Sequence, residues 1–407
     1  MKRRVLFVDD EPSVLQGLSR MLRPLRDQWD MAFVSRGDEA LDLLSREPFD
    51  VIVTDMRMPG MDGLALLEQV MTRFPQVVRI ILSGHTDQTA ALRSAKAVHQ
   101  FLAKPCDGET LVGTLGRVLA LMETVLNPQV RAVVSRLGDL PALPSLYQEI
   151  LAELQREDPS PNRVGEVVGR DVAMAAKLLQ LVNSAFFGLF RAVHSPAEAV
   201  RYLGIETVKA LVLSFHVFSE LRPAPVHGFS AEGLWDHSLR VGTAARRIAW
   251  NETRATPVAD SSFTSGLLHD VGRLVLATCL PDAYGAVLSQ VGPDEEGLWR
   301  LEQVRLGASH AEVGAYLVGL WGLPQEIVEA TALHHLPSRG PLPVSGSETV
   351  LAVHAAEAML QDREDVGIQA AKAGIDEPFL RDMGRLDRLQ QWLAICRTTC
   401  KEDAVHG

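Results

Sequence analysis

Cysteine is scarce in this chain: 407 residues hold four, Cys106, Cys279, Cys396 and Cys400. None sits in the CxxC spacing of a structural metal site, so neither a disulfide framework nor a zinc ribbon is expected, and the thiols read as reduced. Cys396 and Cys400 read as one face of a terminal helix. Long apolar runs are missing as well. A membrane-spanning helix needs about 18 such residues, and Val313 to Pro324 is too short. The opening Met1-Lys-Arg-Arg4 imitates the basic start of a secretory signal, but only Val5 to Val8 follow before Asp9-Asp10-Glu11. That is a short strand and not the apolar core of a signal. Secretion and membrane insertion are therefore not expected, and the expected location is cytoplasmic. No repeat of roughly 20–50 residues is visible, and no low-complexity tract.

An excess of positive charge is also absent. Residues 1–122 carry 15 Lys/Arg against 16 Asp/Glu, and the remainder carries 25 against 35. Nucleic-acid binding rests on clustered Lys/Arg, so the acidic second part is not expected to have DNA or RNA as its main partner. The length allows two or three domains.

Five short stretches stand out: Asp9-Asp10, Asp55, Ser83, Phe101 and Lys104-Pro105. Apolar runs of strand length lead into them: Arg4–Val8, Val51–Thr54, Arg79–Leu82 and Gln100–Ala103. Helical patterns lie between, which predicts parallel strands buried on both faces. In a doubly wound sheet of order 2-1-3-4-5, function gathers at the carboxyl ends of the strands, beside strands 1 and 3. Asp9, Asp10 and Asp55 should then share one cleft, where their repulsion calls for a cation. Oxygen ligands suit Mg²⁺, which can share a phosphate. Lys104 would add a fixed positive charge and Ser83 a hydroxyl.

This pattern resembles the receiver domain of two-component response regulators over residues 1–122. The stretch Met58-Pro59-Gly60-Met61-Asp62-Gly63 matches that family's loop after the phosphoacceptor. The resemblance implies a flavodoxin-like α/β fold and a sensor histidine kinase as partner, with Asp55 accepting the phosphoryl group. It further implies that Asp10, Asp55 and the backbone carbonyl of Arg57 bind Mg²⁺, with Asp9 acting through water. Ser83 and Lys104 would grip the phosphoryl oxygens, and Phe101 would be the aromatic switch. Homodimerisation through this domain stays open.

The periodicity of Leu111, Leu115, Val118, Leu119 and Met122 predicts a helix over Asp107 to Val125. Asn127-Pro128 and Leu140–Pro144 then mark a break, which suggests a helical linker over 123–137 and a second domain over 138–400. That domain reads as all helical. Val172, Ala175, Ala176, Leu179 and Val182 fall at helical spacing, as do Val208, Leu211, Val212, Phe215 and Phe218. Ser195-Pro196-Ala197-Glu198 predicts a capping box, with His194 as a turn residue before it.

Three phrases mark the second domain: Asp171 to Gly188, Ala199-Val-Arg-Tyr-Leu-Gly204, and Gly266-Leu-Leu-His269-Asp270-Val-Gly272. Together they resemble the HDOD domain, a helical relative of the HD phosphohydrolases. The match runs from about 138 to 338, and the helix Thr349–Leu360 extends the HD-like core. Where family members carry Asp-Pro, this chain has Asp171-Val172.

By family position, the candidate ligands of a second metal site, for a transition metal, are His237, His269, Asp270, His310, His334 and His335, with Glu357 as a final carboxylate. Each has a plainer reading. His269 and Asp270 could pair or cap helices, His310 could open a helix, and His334-His335 could be solvated. The related HD-GYP cyclic-di-GMP phosphodiesterases carry Lys where this chain has Arg273, and a GYP segment where it has Leu336–Pro343. HDOD domains are generally regarded as regulatory modules. The expectation is therefore a response regulator whose HDOD domain relays the signal through contacts with an unidentified downstream protein. The alternative is a metal-dependent phosphodiesterase gated by the receiver.

Overall fold

The computed structural model describes residues 2–84, 97–104, 106, 108–124, 145–154, 156, 158–182, 193–221, 223, 225–291, 297–340, 347–360 and 374–404. The main division between two compact units falls between Ser145 and Leu146.

In the first unit the strands are β1 (Arg3–Val8), β2 (Trp29–Val34), β3 (Val51–Asp55), β4 (Val78–Gly84) and β5 (Gln100–Lys104). The helices are α1 (Pro12–Met21), α2 (Gly37–Arg46), α3 (Gly63–Arg73) and α4 (Gly108–Thr124). The strands lie in the order β2-β1-β3-β4-β5, and all the pairs are parallel. Val5 to Val8, Val51 to Val53, Ile80 and Ile81 are each at most 1% exposed. Such continuous burial is what continuous apolar strands produce when helices cover both faces. The edge strand β2 reads Trp-Asp-Met-Ala-Phe-Val and is only partly buried, which is why no apolar run announced it. The register sets Val8 beside Thr54 and Asp55 beside Leu82, so the residues after β1 and at the end of β3 emerge on one edge. Helix α4, described from Gly108, buries Leu111, Leu115, Val118 and Leu119, and Asp107 lies outside the described residues. Met122 and most of the linker lie outside the described side chains.

One glycine is fixed by close packing here. A Cβ on Gly63 would lie 2.0 Å from the Asp55 carbonyl oxygen, so only glycine lets α3 start directly under the end of β3. Asp62 caps that helix by accepting the Ala65 N–H at 2.8 Å.

The second unit is helical throughout its described residues. Its first half holds α5 (Ser145–Leu154), α6 (Pro161–Gly169), α7 (Val172–Val182), α8 (Pro196–Leu203) and α9 (Ile205–Glu220). Next come α10 (Ala231–Thr253), α11 (Thr256–Leu268), α12 (Val271–Cys279), α13 (Pro281–Leu288), α14 (Leu298–Leu306), α15 (His310–Leu320) and α16 (Gln325–Leu333). The last three are α17 (Ser347–Met359), α18 (Glu377–Asp382) and α19 (Leu389–Ala404). Among the described residues no single helix is long and apolar enough to cross a membrane.

The face of α7 differs from the predicted one. Met174, Leu178 and Val182 are buried, whereas Ala176 is exposed. The segment is apolar almost all round, so spacing alone does not choose a face. Asp171 caps it through the Met174 N–H at 2.9 Å. At the start of α8, Ser195 Oγ accepts the Glu198 N–H at 3.2 Å, and the Glu198 carboxylate reaches back to accept the His194 N–H at 3.0 Å. Residues 183–188, the end of the first HDOD phrase, lie outside the described residues.

Helix α10 packs along α11 and α17 over a core that includes Val241, Ala245, Ile248, Val350, Leu351 and Trp392. The phrase around His269 bends the chain between α11 and α12. Gly272 in it is the second glycine that geometry dictates. Its Cβ would lie 1.9 Å from the His310 carbonyl oxygen and 2.7 Å from the Gly314 nitrogen. This close crossing brings the start of α15, and with it His310, beside Asp270.

Candidate functional site

In the first unit the strand ends collect carboxylates around one ammonium. Lys104 Nζ lies 2.5 Å from Asp55 Oδ1 and 3.1 Å from Asp9 Oδ2. Asp9 is 2% exposed, and its Oδ1 accepts the Glu11 N–H at 2.9 Å. Asp55 Oδ2 accepts the Arg57 N–H at 3.2 Å. Asp10 is half-buried next to them in sequence. Burial works against the charge of Lys104, but the hydrogen bonds it donates to Asp55 and Asp9, with their negative charges, outweigh it and raise its pKa above the usual lysine value. Ser83 and Phe101 lie in β4 and β5, and their side chains fall outside the described ones. The loop from Met58 to Gly63 carries Gly60 at φ +83°. This set of oxygen donors at strand ends fits a hard cation such as Mg²⁺.

In the second unit all seven candidate residues converge, from five helices and the turns that end them. His237 comes from α10, His269 and Asp270 from the bend between α11 and α12, and His310 from the start of α15. His334 and His335 follow α16, and Glu357 comes from α17. The reading of His334-His335 as solvated is corrected for His334, which is 0% exposed because the end of α16 is roofed by α17, while His335 is only partly buried. His269 is also 0% exposed, and Asp270 and His310 are 2% each.

The ligand-type atoms form two groups that share Asp270. One is His237, His269 and Asp270, and the other is Asp270, His310, His334 and His335. In each, the candidate atoms lie within 4.8 Å of one another. Asp270 Oδ1 is 3.1 Å from His310 Nε2 and 3.6 Å from His334 Nε2. Glu357 Oε2 sits 2.8 Å from His237 Nε2 and 3.2 Å from His269 Nε2, at the side of the first group.

The outer nitrogens decide which way the lone pairs point. His269 Nδ1 lies 2.7 Å from the Gly266 carbonyl, and His334 Nδ1 lies 2.8 Å from the Thr331 carbonyl. A carbonyl only accepts, so in both rings Nδ1 carries a proton and Nε2 is the nitrogen that faces the cluster. Among the described residues, His269 Nε2, His334 Nε2 and Asp270 Oδ1 are all buried and make contacts of 3.1–3.6 Å with their charged or polar neighbours but no well-aligned hydrogen bond. Leaving such atoms unsatisfied costs about 1–3 kcal/mol each. A cation among them removes that cost, so this nitrogen-and-oxygen set fits a first-row divalent metal.

Without a cation, protons take over part of that role. Burial opposes the charge of His310, but Glu302 and Asp270 outweigh it and raise its pKa to about 10. His335 is pushed well below the usual histidine value by burial and by its neighbours His334 and His310. Burial also opposes ionisation of Asp270 and Glu357, but the surrounding imidazoles hold both well below the ordinary carboxylate range. The ionised pair and the neutral His335 therefore coexist at neutral pH.

Two contacts here have no counterpart in the sequence reading. Glu302, 0% exposed, accepts from His310 Nδ1 at 2.7 Å. Arg273, three residues after Asp270, donates to Asp270 Oδ2 at 3.2 Å. A lone Glu in the helical stretch Leu298–Leu306 gives no sign of its partner, since nothing but the fold brings it to His310.

Comparison with known proteins agrees with this division. The family model of the response regulator receiver domain matches residues 5–115, and that of the HDOD domain matches residues 140–337. The chain joins a receiver domain to an HDOD domain. The receiver domain supports a two-component response regulator, and receiver domains are generally Mg²⁺-dependent and interact with sensor kinases.

An uncharacterised protein of Treponema pallidum is 27% identical over 214 residues, 53% of this chain and 41% of that protein. The hydrogenase transcriptional regulatory protein HoxA of Cupriavidus necator is 37% identical over 113 residues, 27% of this chain and 23% of its own length. The chain thus spans less than half of each of these relatives. An HDOD domain protein of unknown function from Geobacter sulfurreducens has a crystal structure that superposes with a TM-score of 0.51 at 20% identity. The match covers 72% of this chain and 99% of that one, a likeness of fold.

Proposed function

We propose that the chain is a phosphorylation-controlled response regulator in which Asp55 accepts a phosphoryl group from a sensor histidine kinase. The observation that carries this reading is the convergence of Lys104 on Asp55 and Asp9. Asp10, Asp55 and the Arg57 carbonyl hold Mg²⁺, with Asp9 acting through water. Ser83 and Lys104 then take the phosphoryl oxygens, and Phe101 responds to the change. Phosphoryl transfer asks mainly for positioning and charge neutralisation, and this cleft offers both. The HDOD domain passes the signal on through contacts with a downstream protein.

A second reading has its own observation. Among the described residues the inward atoms of His269, His334 and Asp270 make no well-aligned hydrogen bond, which supports a divalent-metal centre in the HDOD domain, and with it a phosphodiesterase acting on a cyclic dinucleotide or other nucleotide. A bound metal there would supply Lewis acidity and a water of lowered pKa. The chain's own part is to hold two donor groups on one shared carboxylate, Asp270, whose second oxygen Arg273 fixes. The side chains of His237, Glu357 and Arg273 are the more exposed part of this set, at 12%, 11% and 12%.

Metal analysis of the purified chain, followed by cyclic-di-GMP hydrolysis with Mn²⁺ or Fe²⁺, separates the two readings. The relay reading expects no turnover from either the phosphorylated or the unphosphorylated form. Turnover that vanishes in Asp270→Ala while the helical circular dichroism survives overturns it in favour of the enzyme.

A further inference from the structure

Three inward-facing rings of the HDOD cluster are anchored through Nδ1, and they are not anchored alike. For His269 and His334 the acceptor is a neutral carbonyl, of Gly266 and Thr331. For His310 it is a carboxylate. Glu302 Oε2 lies 2.7 Å from His310 Nδ1 and accepts the His310 backbone N–H at the same distance. Glu302 is wholly buried, and among the described residues its Oε1 has no hydrogen-bond partner.

Burying a carboxylate is costly, and the helix that follows does not require it. The start of α15 is already closed by its own box: the Ser309 N–H donates to Glu312 Oε2 at 2.8 Å, and the Glu312 N–H donates to Ser309 Oγ at 3.3 Å. A neutral acceptor would satisfy the remaining His310 N–H. What a carboxylate adds is a fixed ring orientation and negative charge behind the ring, and this makes the opposite nitrogen a stronger donor.

We infer that Glu302 is a positioning residue that fixes His310 so that its Nε2 serves the metal group formed with Asp270, His334 and His335. The inference rests on the metal-centre reading above. It predicts an asymmetry, because nothing connects Glu302 directly with His237, His269 or Glu357 among the described contacts. Removing its charge weakens one of the two groups and spares the other.

The test is Mn²⁺ titration calorimetry of the full chain in excess Mg²⁺, which fills the oxygen-ligand site of the receiver domain while the imidazole-rich groups prefer Mn²⁺. The wild type is expected to take up Mn²⁺ in two classes. Glu302→Gln keeps a carbonyl oxygen for the backbone N–H but loses the charge. It is expected to weaken one class roughly 10–100-fold and leave the other unchanged. Glu302→Asp, which retains the charge, is expected to bind more tightly than Glu302→Gln at similar thermal stability, so affinity follows charge and not folding. Two unchanged classes in Glu302→Gln, or tighter binding by Glu302→Gln than by Glu302→Asp, overturn the inference alone. A wild type that takes up no Mn²⁺ overturns the metal-centre reading and the inference with it.

Discussion

Lys104 reaches Asp55 more closely than it reaches Asp9, 2.5 Å against 3.1 Å, so a single ammonium ties the end of β5 to those of β3 and β1. The Asp55 side chain is 14% exposed, with a fixed countercharge beside Oδ1 and the Arg57 N–H donating to Oδ2. Asp55→Asn is expected to abolish Mg²⁺-dependent labelling by acetyl phosphate, since an amide does not attack phosphorus. Intact-protein mass spectrometry reads the added phosphoryl group directly. Undiminished labelling of the variant would remove Asp55 as the acceptor.

Asp270 belongs to both donor groups of the HDOD domain, whereas His335 belongs to one. Asp270→Asn should therefore lower the bound transition metal at both groups, and His335→Ala at the second only. Elemental analysis of protein purified in parallel gives the equivalents. Wild-type metal content in Asp270→Asn would show that the shared carboxylate is not a ligand.

Gly272 crosses α15 at a distance that admits no side chain. Its added Cβ would stand 1.9 Å from the His310 carbonyl oxygen, so the helices must separate. Gly272→Ala is expected to cost about 1–3 kcal/mol, the usual range for overpacking, and to displace His310 from Asp270. Urea denaturation measures the first effect. An unshifted midpoint would mean that the two helices do not cross so closely.

His99 in the first unit is 5% exposed, and the Arg79 N–H lies 3.0 Å from its Nδ1. Burial, and then the Arg79 guanidinium, hold its pKa well below the ordinary 6.5. The folded chain keeps this ring neutral while the unfolded chain protonates near 6.5, so the unfolded state binds the extra proton. Stability is thus complete above that pH and falls as pH drops below it, by up to about 1.4 kcal/mol per pH unit. Denaturation of wild type and His99→Gln at two pH values on either side of 6.5 checks this. The variant should lose less stability on acidification, and an equal loss would contradict the buried neutral ring.

Much of the first unit is written along the chain. The runs Val5–Val8, Val51–Val53 and Ile80–Leu82 are apolar without interruption, and only a parallel sheet covered on both faces accepts them. The edge strand β2 was less legible because half of it faces solvent. In the second unit the helices were legible as a class, but the face of α7 was not, since an apolar segment gives no direction. The plain readings of His334 and His335 could not be weighed from sequence either. Two adjacent histidines look the same whether a roof of helix covers them or water does.

Local sequence determined the elements themselves: strand runs, the caps at Asp62 and Ser195, the glycine that admits α3 under Asp55, and the order of the acidic, hydroxyl and lysine residues. These are properties of neighbouring residues, set by dihedral preference and by hydrogen bonds a few positions long. Only the tertiary structure decided that His269 and His334 turn their Nε2 atoms inward to the cluster around Asp270, that Arg273 holds Asp270 Oδ2, and that Glu302 backs His310. Burial and lone-pair direction depend on which helices cross where. A crossing such as that of Gly272 with the start of α15 joins residues that no local pattern connects.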